Sequence, residues 1–188
     1  MNDSSKELKA KAIAFLGTLV LLMANRLEAQ TTTRRQLVVS LPDCKMAVLE
    51  DGTVTKIYPV AVGKITTPSP TGSFKIINRL ENPTYYHKGV VIGPGPANPL
   101  GDRWIGLNQK GYGIHGTNAP KSIGKRASHG CIRMAKKDLE ELFAMVRPGD
   151  EVVIRSERDE QTVALFGGDE QPVTVAQNQP EASVVGGK

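Results

Sequence analysis

The sequence predicts a mainly β protein, a sandwich or partly closed barrel of short strands with one packed α-helix. Its apolar segments are short, rich in Val, Leu and Ile, and separated by residues that favour turns. The chain of 188 residues contains nineteen glycines and twelve prolines, and most of them fall between these segments. A chain of this length can bury the core of one ordinary domain without disulfides or metals.

The first part of the domain is predicted to be an antiparallel meander. Residues 36–41 and 46–50 are rich in Val and Leu and are expected to form two strands, with Pro42-Asp43 in the turn between them. Asp51-Gly52 predicts a type I′ hairpin turn, because this turn needs positive φ angles that Asp and Gly tolerate. We therefore expect the next strand to cover residues 53–62.

A loop at residues 63–70 and a strand at residues 72–78 are expected next, from two prolines and then an apolar alternation. Residues 83–103 contain Pro94-Gly95-Pro96 and Pro99-Leu100-Gly101, which cannot sustain the hydrogen bonding of a sheet. We expect a long surface excursion there, since a loop of this length in a compact domain is usually functional. A flap on the substrate side is our hypothesis.

One segment has helical periodicity. Its apolar residues recur at i, i+3, i+4 and i+7, and they are Leu139, Leu142, Phe143 and Val146. Pro148-Gly149 ends the helix, and a last strand is predicted at residues 151–155. The folded domain is expected to cover residues 36–158. Residues 159–188 are expected to be a disordered tail, because the stretch from Gly167 is rich in Gln, Pro, Gly and Glu.

Residues 1–29 have the composition of an export signal. A positive region precedes an apolar run of thirteen residues, 12–24, and the small Ala29 could precede a cleavage site. Thirteen residues are too few to span a bilayer comfortably, although an uncleaved N-terminal anchor is the alternative. Both alternatives place the folded domain outside the cytoplasm, in the periplasm or cell envelope, after a linker at residues 30–35.

The charge distribution favours an acidic partner. The chain carries a formal net charge of +5, of which the leader contributes +1, the tail from Gly167 contributes −2 and the middle contributes +6. Such a basic body suits an acidic polymer. Nucleic acid is a poor alternative, because no helical basic stripe and no repeat of basic and aromatic residues is present.

The stretch Ser128-His129-Gly130-Cys131 carries the chemistry that the sequence predicts. A cysteine attacks as its thiolate, and an imidazole beside it lowers the pKa of the thiol. Two imidazoles are available, His129 and His115, and the residues alone do not choose between them. Gly130 leaves room for backbone N–H groups to face a developing oxyanion, which suits acyl transfer.

Three alternatives oppose this interpretation. Cys131 could be a structural thiol or form a disulfide with Cys44, which an oxidising compartment permits. The chain could instead be a non-catalytic wall-binding module. A zinc site is the third alternative, although its ligands lack the usual local pairs; they would be His87, His115, His129 and Cys131.

The motifs also resemble a known family. His115-Gly116-Thr117-Asn118, the stretch from Ala127 to Met134, and Trp104-Ile105-Gly106-Leu107 are similar to the catalytic signature of the YkuD-type L,D-transpeptidases. These enzymes make or edit peptidoglycan cross-links through a cysteine acyl-enzyme. The resemblance spans residues 36–155 and implies the family's fold, with no metal and no cofactor.

The resemblance also implies roles for individual residues. His115 would be the base, oriented by the carbonyl of Gly116, and the N–H groups of Gly130 and Cys131 would form the oxyanion hole. The substrate-binding residues would be Ser128, His129 and Arg133, whose structural alternatives are a turn residue, a core histidine and an ion pair, respectively. Peptidoglycan stem peptides would be the donors. A second stem, a wall-anchored lipoprotein or water would be the acceptor, and contact with a membrane would occur only through an uncleaved N-terminal segment.

Overall fold

The computed structural model describes residues 33–167, and within them the chain forms twelve strands and two helices. The strands are β1 (Arg35–Ser40), β2 (Lys45–Glu50), β3 (Thr53–Pro59), β4 (Val62–Gly63), β5 (Gly72–Glu81), β6 (Tyr85–His87), β7 (Val90–Ile92), β8 (Arg103–Leu107), β9 (Gly113–His115), β10 (Arg126–Ser128), β11 (Ile132–Arg133) and β12 (Glu151–Arg155). The helices are α1 (Lys136–Met145) and α2 (Glu160–Phe166), and a 3-10 turn lies at Pro120–Ser122.

Eight strands form one sheet, in the order β11-β9-β8-β5-β12-β1-β2-β3. The sheet is curled into a half-barrel. Strand β1 pairs in parallel with β12 and antiparallel with β2. Two smaller pairs, β4 with β10 and β6 with β7, lie outside this sheet. The predicted mainly β, partly closed fold with a packed helix is confirmed.

Helix α1 covers one face of the sheet. Leu139 and Leu142 are fully buried and belong to one cluster with side chains from β1, β2, β5, β8, β9 and β12. Full burial of such a side chain stabilises the fold by roughly 2 kcal/mol. The helix ends at Met145, where the N–H of Val146 donates to the carbonyl of Leu142 at 3.0 Å.

Helix α2 covers part of the opposite face. Phe166 is only 6% exposed and packs with Val38, Ala47 and Leu49. Successive side chains of a strand point to opposite faces of the sheet, and both faces are covered at β1. This explains why the apolar residues of β1 are consecutive rather than alternating with polar ones. The prediction of a disordered tail from residue 159 was therefore wrong for residues 160–166.

The start of helix α2 is fixed by a capping box. The carboxylate of Asp159 accepts from the N–H of Thr162 at 2.9 Å, and the hydroxyl of Thr162 accepts from the N–H of Asp159 at 2.8 Å.

Three predicted segments lie outside the described residues: the leader at 1–29, residues 30–32 of the linker and residues 168–188 of the tail. No helix within residues 33–167 is long and apolar enough to cross a membrane.

The predicted hairpin turn at Asp51-Gly52 is present, with φ angles of 49° and 82°. The strand expected at 53–62, however, ends at Pro59, which has no N–H for a ladder. Beyond it, the N–H of Ala61 donates to the carbonyl of Arg133 at 2.8 Å. The chain thus leaves β2 and crosses to the strands of the candidate site.

The excursion at residues 83–103 has more internal structure than the sequence predicts. Strands β6 and β7 form a hairpin whose turn residues, Lys88 and Gly89, have φ angles of 46° and 81°. Behind it, the side-chain amide of the buried Asn98 donates to the carbonyls of Pro83 at 2.7 Å and Gly93 at 3.1 Å. These bonds hold both ends of the excursion together.

Candidate active site

The two sequence motifs meet at one end of the curled sheet. Strands β9 and β11 pair in parallel, with Arg133 beside His115, so Cys131 lies just before the paired segment. A cleft of about 820 Å³ opens there. Its walls include Leu80, Pro83, Thr84, Tyr85, Tyr86, His87, Pro99, Leu100, Trp104, Gly111, Tyr112, His115, Ser128, His129, Cys131 and Arg133.

His115 is held at the end of β9 with 5% of its surface exposed. Its Nδ1 lies 2.6 Å from the carbonyl oxygen of Gly116, so Nδ1 carries the proton and Nε2 is the free base. Burial is the main cause that lowers the pKa of His115 to about 4, and the charge of Arg133 acts in the same direction. The imidazole is therefore neutral at neutral pH.

Trp104 stacks on the imidazole of His115. The two residues are cross-strand partners in β8 and β9, and their ring centroids are 5.7 Å apart with an interplanar angle of 19°. The indole occupies space that exists only because Gly106 and Gly113 lack side chains. A Cβ on Gly106 would lie 2.9 Å from the indole Nε1, and one on Gly113 would lie 2.6 Å from Cζ2.

Cys131 is partly exposed, and its thiol donates to the carbonyl of Gly111 at 3.6 Å. Burial is the main cause that raises the pKa of the Cys131 thiol, although a hydrogen bond from the backbone of Gly113 and the charge of Arg133 oppose it. This direction is opposite to the lowering that the sequence motif predicts. The resting site holds a neutral thiol and a neutral imidazole.

Ser128 organises the loop that carries Cys131. Its side chain is 1% exposed; the hydroxyl donates to the carbonyl of Cys131 at 2.6 Å and accepts from the N–H of Gly130 at 3.0 Å. The alternative role of Ser128 as a turn residue therefore agrees with the geometry. The N–H of Gly130, which was expected in the oxyanion hole, instead donates to this hydroxyl within the loop.

Residues 63–70 clamp this loop from outside. The N–H of Lys64 and the hydroxyl of Thr67 both donate to the carbonyl of Ser128, at 3.1 and 3.2 Å. Gly130 has a φ of +116°, and a Cβ there would lie 2.6 Å from the ring of Tyr112. Only glycine fits this position.

His129 and Arg133 both line the cleft. His129 is exposed, so it is not a core histidine. The Nε of Arg133 is buried without a hydrogen-bond partner, and its guanidinium forms no ion pair with an acid in residues 33–167. The structural alternative for Arg133 therefore receives no support from the described residues, and the group can bind an anion in the cleft.

The two cysteines are separate. Cys44 is 8% exposed and its thiol donates to the carbonyl of Leu41 at 3.7 Å, and both Cys44 and Cys131 are free. A disulfide between them is therefore not formed. No group of three or more His, Cys, Asp or Glu side chains in residues 33–167 is placed to hold a metal ion.

Several residues of the cleft were not singled out from the sequence for a role. Tyr112 and the hairpin residues Tyr85 and Tyr86 belong to this group, whereas His87 was considered only as a zinc ligand and Trp104 only as part of a family-like string. The Trp-x-Gly pattern in β8, followed by Gly113 in β9, could have indicated a large ring lying over glycines.

A model of the YkuD L,D-transpeptidase catalytic domain matches residues 34–154. The chain belongs to this family. This L,D-transpeptidase is 41% identical to the putative L,D-transpeptidase YkuD of Bacillus subtilis over 155 residues, which are 74% of this chain and 87% of that protein. It is 42% identical to the putative L,D-transpeptidase YqjB of the same organism over 123 residues, which are 63% of this chain and 69% of that protein.

Solved structures agree with this L,D-transpeptidase assignment. An L,D-transpeptidase from Enterococcus faecium is 29% identical with a TM-score of 0.56, over 65% of this chain and 50% of that chain. One from Mycobacterium tuberculosis shares the fold at 20% identity, with a TM-score of 0.58 over 66% of this chain and 58% of that chain. This L,D-transpeptidase thus matches only about half of the length of these solved chains.

Proposed function

We propose that this L,D-transpeptidase is an exported enzyme that forms an acyl-enzyme on Cys131, with His115 as the base. The observation that carries the proposal is the meeting of both side chains in one cleft, with the Nδ1 proton of His115 held by Gly116. As the sulfur of Cys131 bonds to the carbonyl carbon, Nε2 of His115 takes the thiol proton. Because both groups start neutral, proton transfer accompanies the attack.

The donor is a tetrapeptide stem of peptidoglycan, the substrate class of this family. Cys131 attacks the amide after the third residue, and His115 returns the proton to the nitrogen of the departing D-alanine. An acceptor amine then attacks the thioester, its proton passes through His115 to the sulfur, and a new amide forms. The N–H of Cys131 would stabilise the oxyanion, and the N–H of Gly130 would join it only if Ser128 released it.

Arg133 is proposed to bind a carboxylate of the donor. It supplies the only permanent charge among the residues that line the cleft, and no Asp or Glu is among them. A guanidinium can hold a carboxylate through two parallel hydrogen bonds. A stem peptide, which carries several carboxylates, fits this charge better than a cationic substrate does. His129, exposed beside the nucleophile, would contact the same peptide.

The acceptor decides the product. An amine of a second stem gives a 3→3 cross-link, a lysine of a wall-anchored lipoprotein gives anchoring, and water gives carboxypeptidase or hydrolase activity.

The leader-like composition of residues 1–29 supports the proposal that the enzyme is exported. Secretion of a fused reporter by these residues, followed by N-terminal sequencing, tests export and distinguishes a cleaved signal from an anchor.

The catalytic proposal is tested with purified protein and disaccharide tetrapeptide. We expect an intact-mass increase equal to the donor minus D-alanine on wild-type protein and on Cys44→Ser, and none on Cys131→Ala. Mass spectrometry of the products then separates dimers from tripeptides, and so transfer from hydrolysis. Normal turnover by Cys131→Ala would eliminate the mechanism.

A covalent inhibitor provides a second readout. One solved relative, 31% identical with a TM-score of 0.56, is described as an avibactam carbamoyl enzyme. We expect a carbapenem or avibactam to label this chain once, at Cys131. A label on Cys44 would show that the nucleophile is misassigned.

A further inference from the structure

The charges of this chain are separated along the sequence. From Gly52 to Lys137 there are thirteen Lys and Arg but only two acids, Glu81 and Asp102, a net charge of +11. From Asp138 to Glu160 there are eight acids and three Arg, a net charge of −5. The first segment contains every residue that lines the cleft. The second contains most of α1 and strand β12.

The two acids of the cationic segment are already paired. The carboxylate of Asp102 lies 3.1 Å from the ammonium of Lys136 and 3.8 Å from the guanidinium of Arg103. That of Glu81 lies 3.6 Å from the same guanidinium. These acids therefore cancel the charge of cations beside them, and the remaining cations account for the net positive charge of the segment.

Eight exposed cations in this segment form no ion pair with an acid in residues 33–167; three of them are Lys75, Lys121 and Lys137. The other five, which adjoin residues of the cleft or of the loop that carries Cys131, we call the cationic rim. The rim residues are Lys64, Lys88, Lys110, Lys125 and Arg126. Cations left without partners on one surface add their potentials, although each acts only over a Debye length of about 8 Å at physiological salt.

Three rim residues lie beside the loop that carries Cys131. Arg126 is in β10, two residues before Ser128, and its neighbour Lys125 accepts a backbone hydrogen bond from Val62 at 3.1 Å. Lys64 follows β4, the partner strand, and its N–H donates to Ser128. The β4-β10 pair and its flanking residues thus carry three cations beside the loop that precedes Cys131.

The other two rim residues adjoin residues that line the cleft. Lys110 precedes Gly111, whose carbonyl accepts from the thiol of Cys131. Lys88 forms the turn of the β6-β7 hairpin, whose first strand, Tyr85–His87, lines the cleft. The five rim residues thus adjoin the cleft from four separate segments of the chain, and none of them lines it.

We propose that the cationic rim binds an anionic polymer, a chain with closely spaced phosphodiester or carboxylate groups, while the cleft holds the peptide to be cut. The inference rests on the proposed function only in placing the enzyme where such polymers occur. A polymer suits the rim because its cations are distributed over several segments beside the cleft rather than gathered into one pocket. Binding to several such sites at once strengthens with the number of contacts and weakens with salt.

The test measures binding of full-length Cys131→Ala protein to poly(glycerol phosphate) and, separately, to poly-L-glutamate. We expect one or both to bind, with an affinity that falls as salt rises. The rim variant Lys64→Gln, Lys125→Gln, Arg126→Gln should bind about tenfold more weakly or worse. Phosphate preference or carboxylate preference identifies the source of the polymer.

A control variant removes the same charge elsewhere. Lys56→Gln, Lys137→Gln, Arg147→Gln takes three exposed cations from the region of α1, and it should keep the affinity of the parent protein. Equal losses in both variants, binding that does not respond to salt, or binding only to vesicles of anionic lipid would overturn the proposal. Rim-dependent binding without acylation of the wild-type protein would instead refute the proposed function alone.

Discussion

The reactive side chains of the cleft are both neutral at rest. Burial raises the pKa of the Cys131 thiol and lowers the pKa of His115 to about 4, because each charged form loses solvation. A thiolate–imidazolium pair would require both shifts to be reversed. In the proposed mechanism the Cys131 thiolate is therefore generated during the attack, when the substrate is in place.

The ionisation of Cys131 can be followed by its alkylation with iodoacetamide from about pH 5 to 10 in a Cys44→Ser background. We expect the rate to rise only as pH approaches a pKa above the ordinary thiol value, with no plateau at lower pH. His115→Ala should leave this titration in place, since the imidazole is uncharged throughout the range. It should slow acylation by a stem peptide by about a hundredfold or more.

A plateau of alkylation between about pH 5 and 7 that disappears in His115→Ala would show that a preformed ion pair exists. His129→Ala is the matched histidine control. A larger loss of acylation in His129→Ala than in His115→Ala would reverse the assigned roles of the two histidines.

Trp104 is a positioning residue for His115. In Trp104→Leu the stack is lost and water reaches the imidazole, so the pKa of His115 should rise toward its ordinary value. Acylation should slow by about tenfold. Trp104→Phe keeps an aromatic face and should retain most of both properties. The pKa is measured by NMR of the imidazole, and an unchanged pKa in Trp104→Leu would exclude this role.

The family resemblance, rather than motif spacing, selected His115, Gly116 and Cys131 as partners in one site. It could not predict their ionisation, because the burial of His115 depends on Trp104, Gly106 and other residues distant in sequence. Nor could it predict that the hydroxyl of Ser128 accepts a hydrogen bond from the N–H of Gly130. Such a choice between competing hydrogen bonds depends on the three-dimensional path of the loop.

At the scale of elements, the loop that carries Cys131 is held between two other segments. Residues 63–70 bond to Ser128 on one side, and the ring of Tyr112 lies against Gly130 on the other. A loop fixed in this way keeps the sulfur in place without help from the substrate.

Gly130→Ala should therefore inactivate the enzyme. Alanine at a positive φ costs about 1 kcal/mol, and its Cβ would also meet Tyr112. Gly124→Ala is the matched control, because Gly124 has a φ of +80° but an added Cβ there would meet nothing within 4 Å. We expect both variants to lower the midpoint of urea unfolding, and only Gly130→Ala to lose acylation by more than about tenfold. Equal activity in the two variants would contradict the clamp.

The regular strands and helix α1 were predictable because their apolar spacing is local. The path of residues 83–103 was only partly predictable from the sequence. Its Pro-Gly clusters correctly indicate a break in the main sheet, but the β6-β7 hairpin turns at Lys88, a residue that seldom adopts a positive φ. Asn98 then joins the ends of the excursion through contacts that no local pattern reveals.

At the scale of the whole molecule, the domain extends past residue 158. Helix α2 is short, and its capping residue, Asp159, is followed at the third position by Thr162 rather than the usual Glu or Gln. Its contribution comes from Phe166, which covers Val38 and Leu49 on the outer face of the sheet. Tertiary packing here outweighs a weak local helix signal.

Phe166→Ala should lower the free energy of unfolding by about 3 kcal/mol or more, because it opens a cavity beside β1 and β2. Val163→Ala is the control on the same helix, since Val163 is 47% exposed, and it should have little effect. Chemical denaturation followed by fluorescence measures both. A loss in Phe166→Ala no larger than in Val163→Ala would show that α2 is dispensable.

The separation of charge also has a consequence before any contact is made. Residues 52–137, which include the cleft, carry +11 and residues 138–160 carry −5, so the two segments contribute opposite charges to the electric dipole moment of the body. Near a negatively charged layer the field exerts a torque on that dipole, so the molecule turns its opening toward the layer while still diffusing. A larger fraction of encounters then has the cleft facing the layer, and this increase disappears as salt shortens the range of the field.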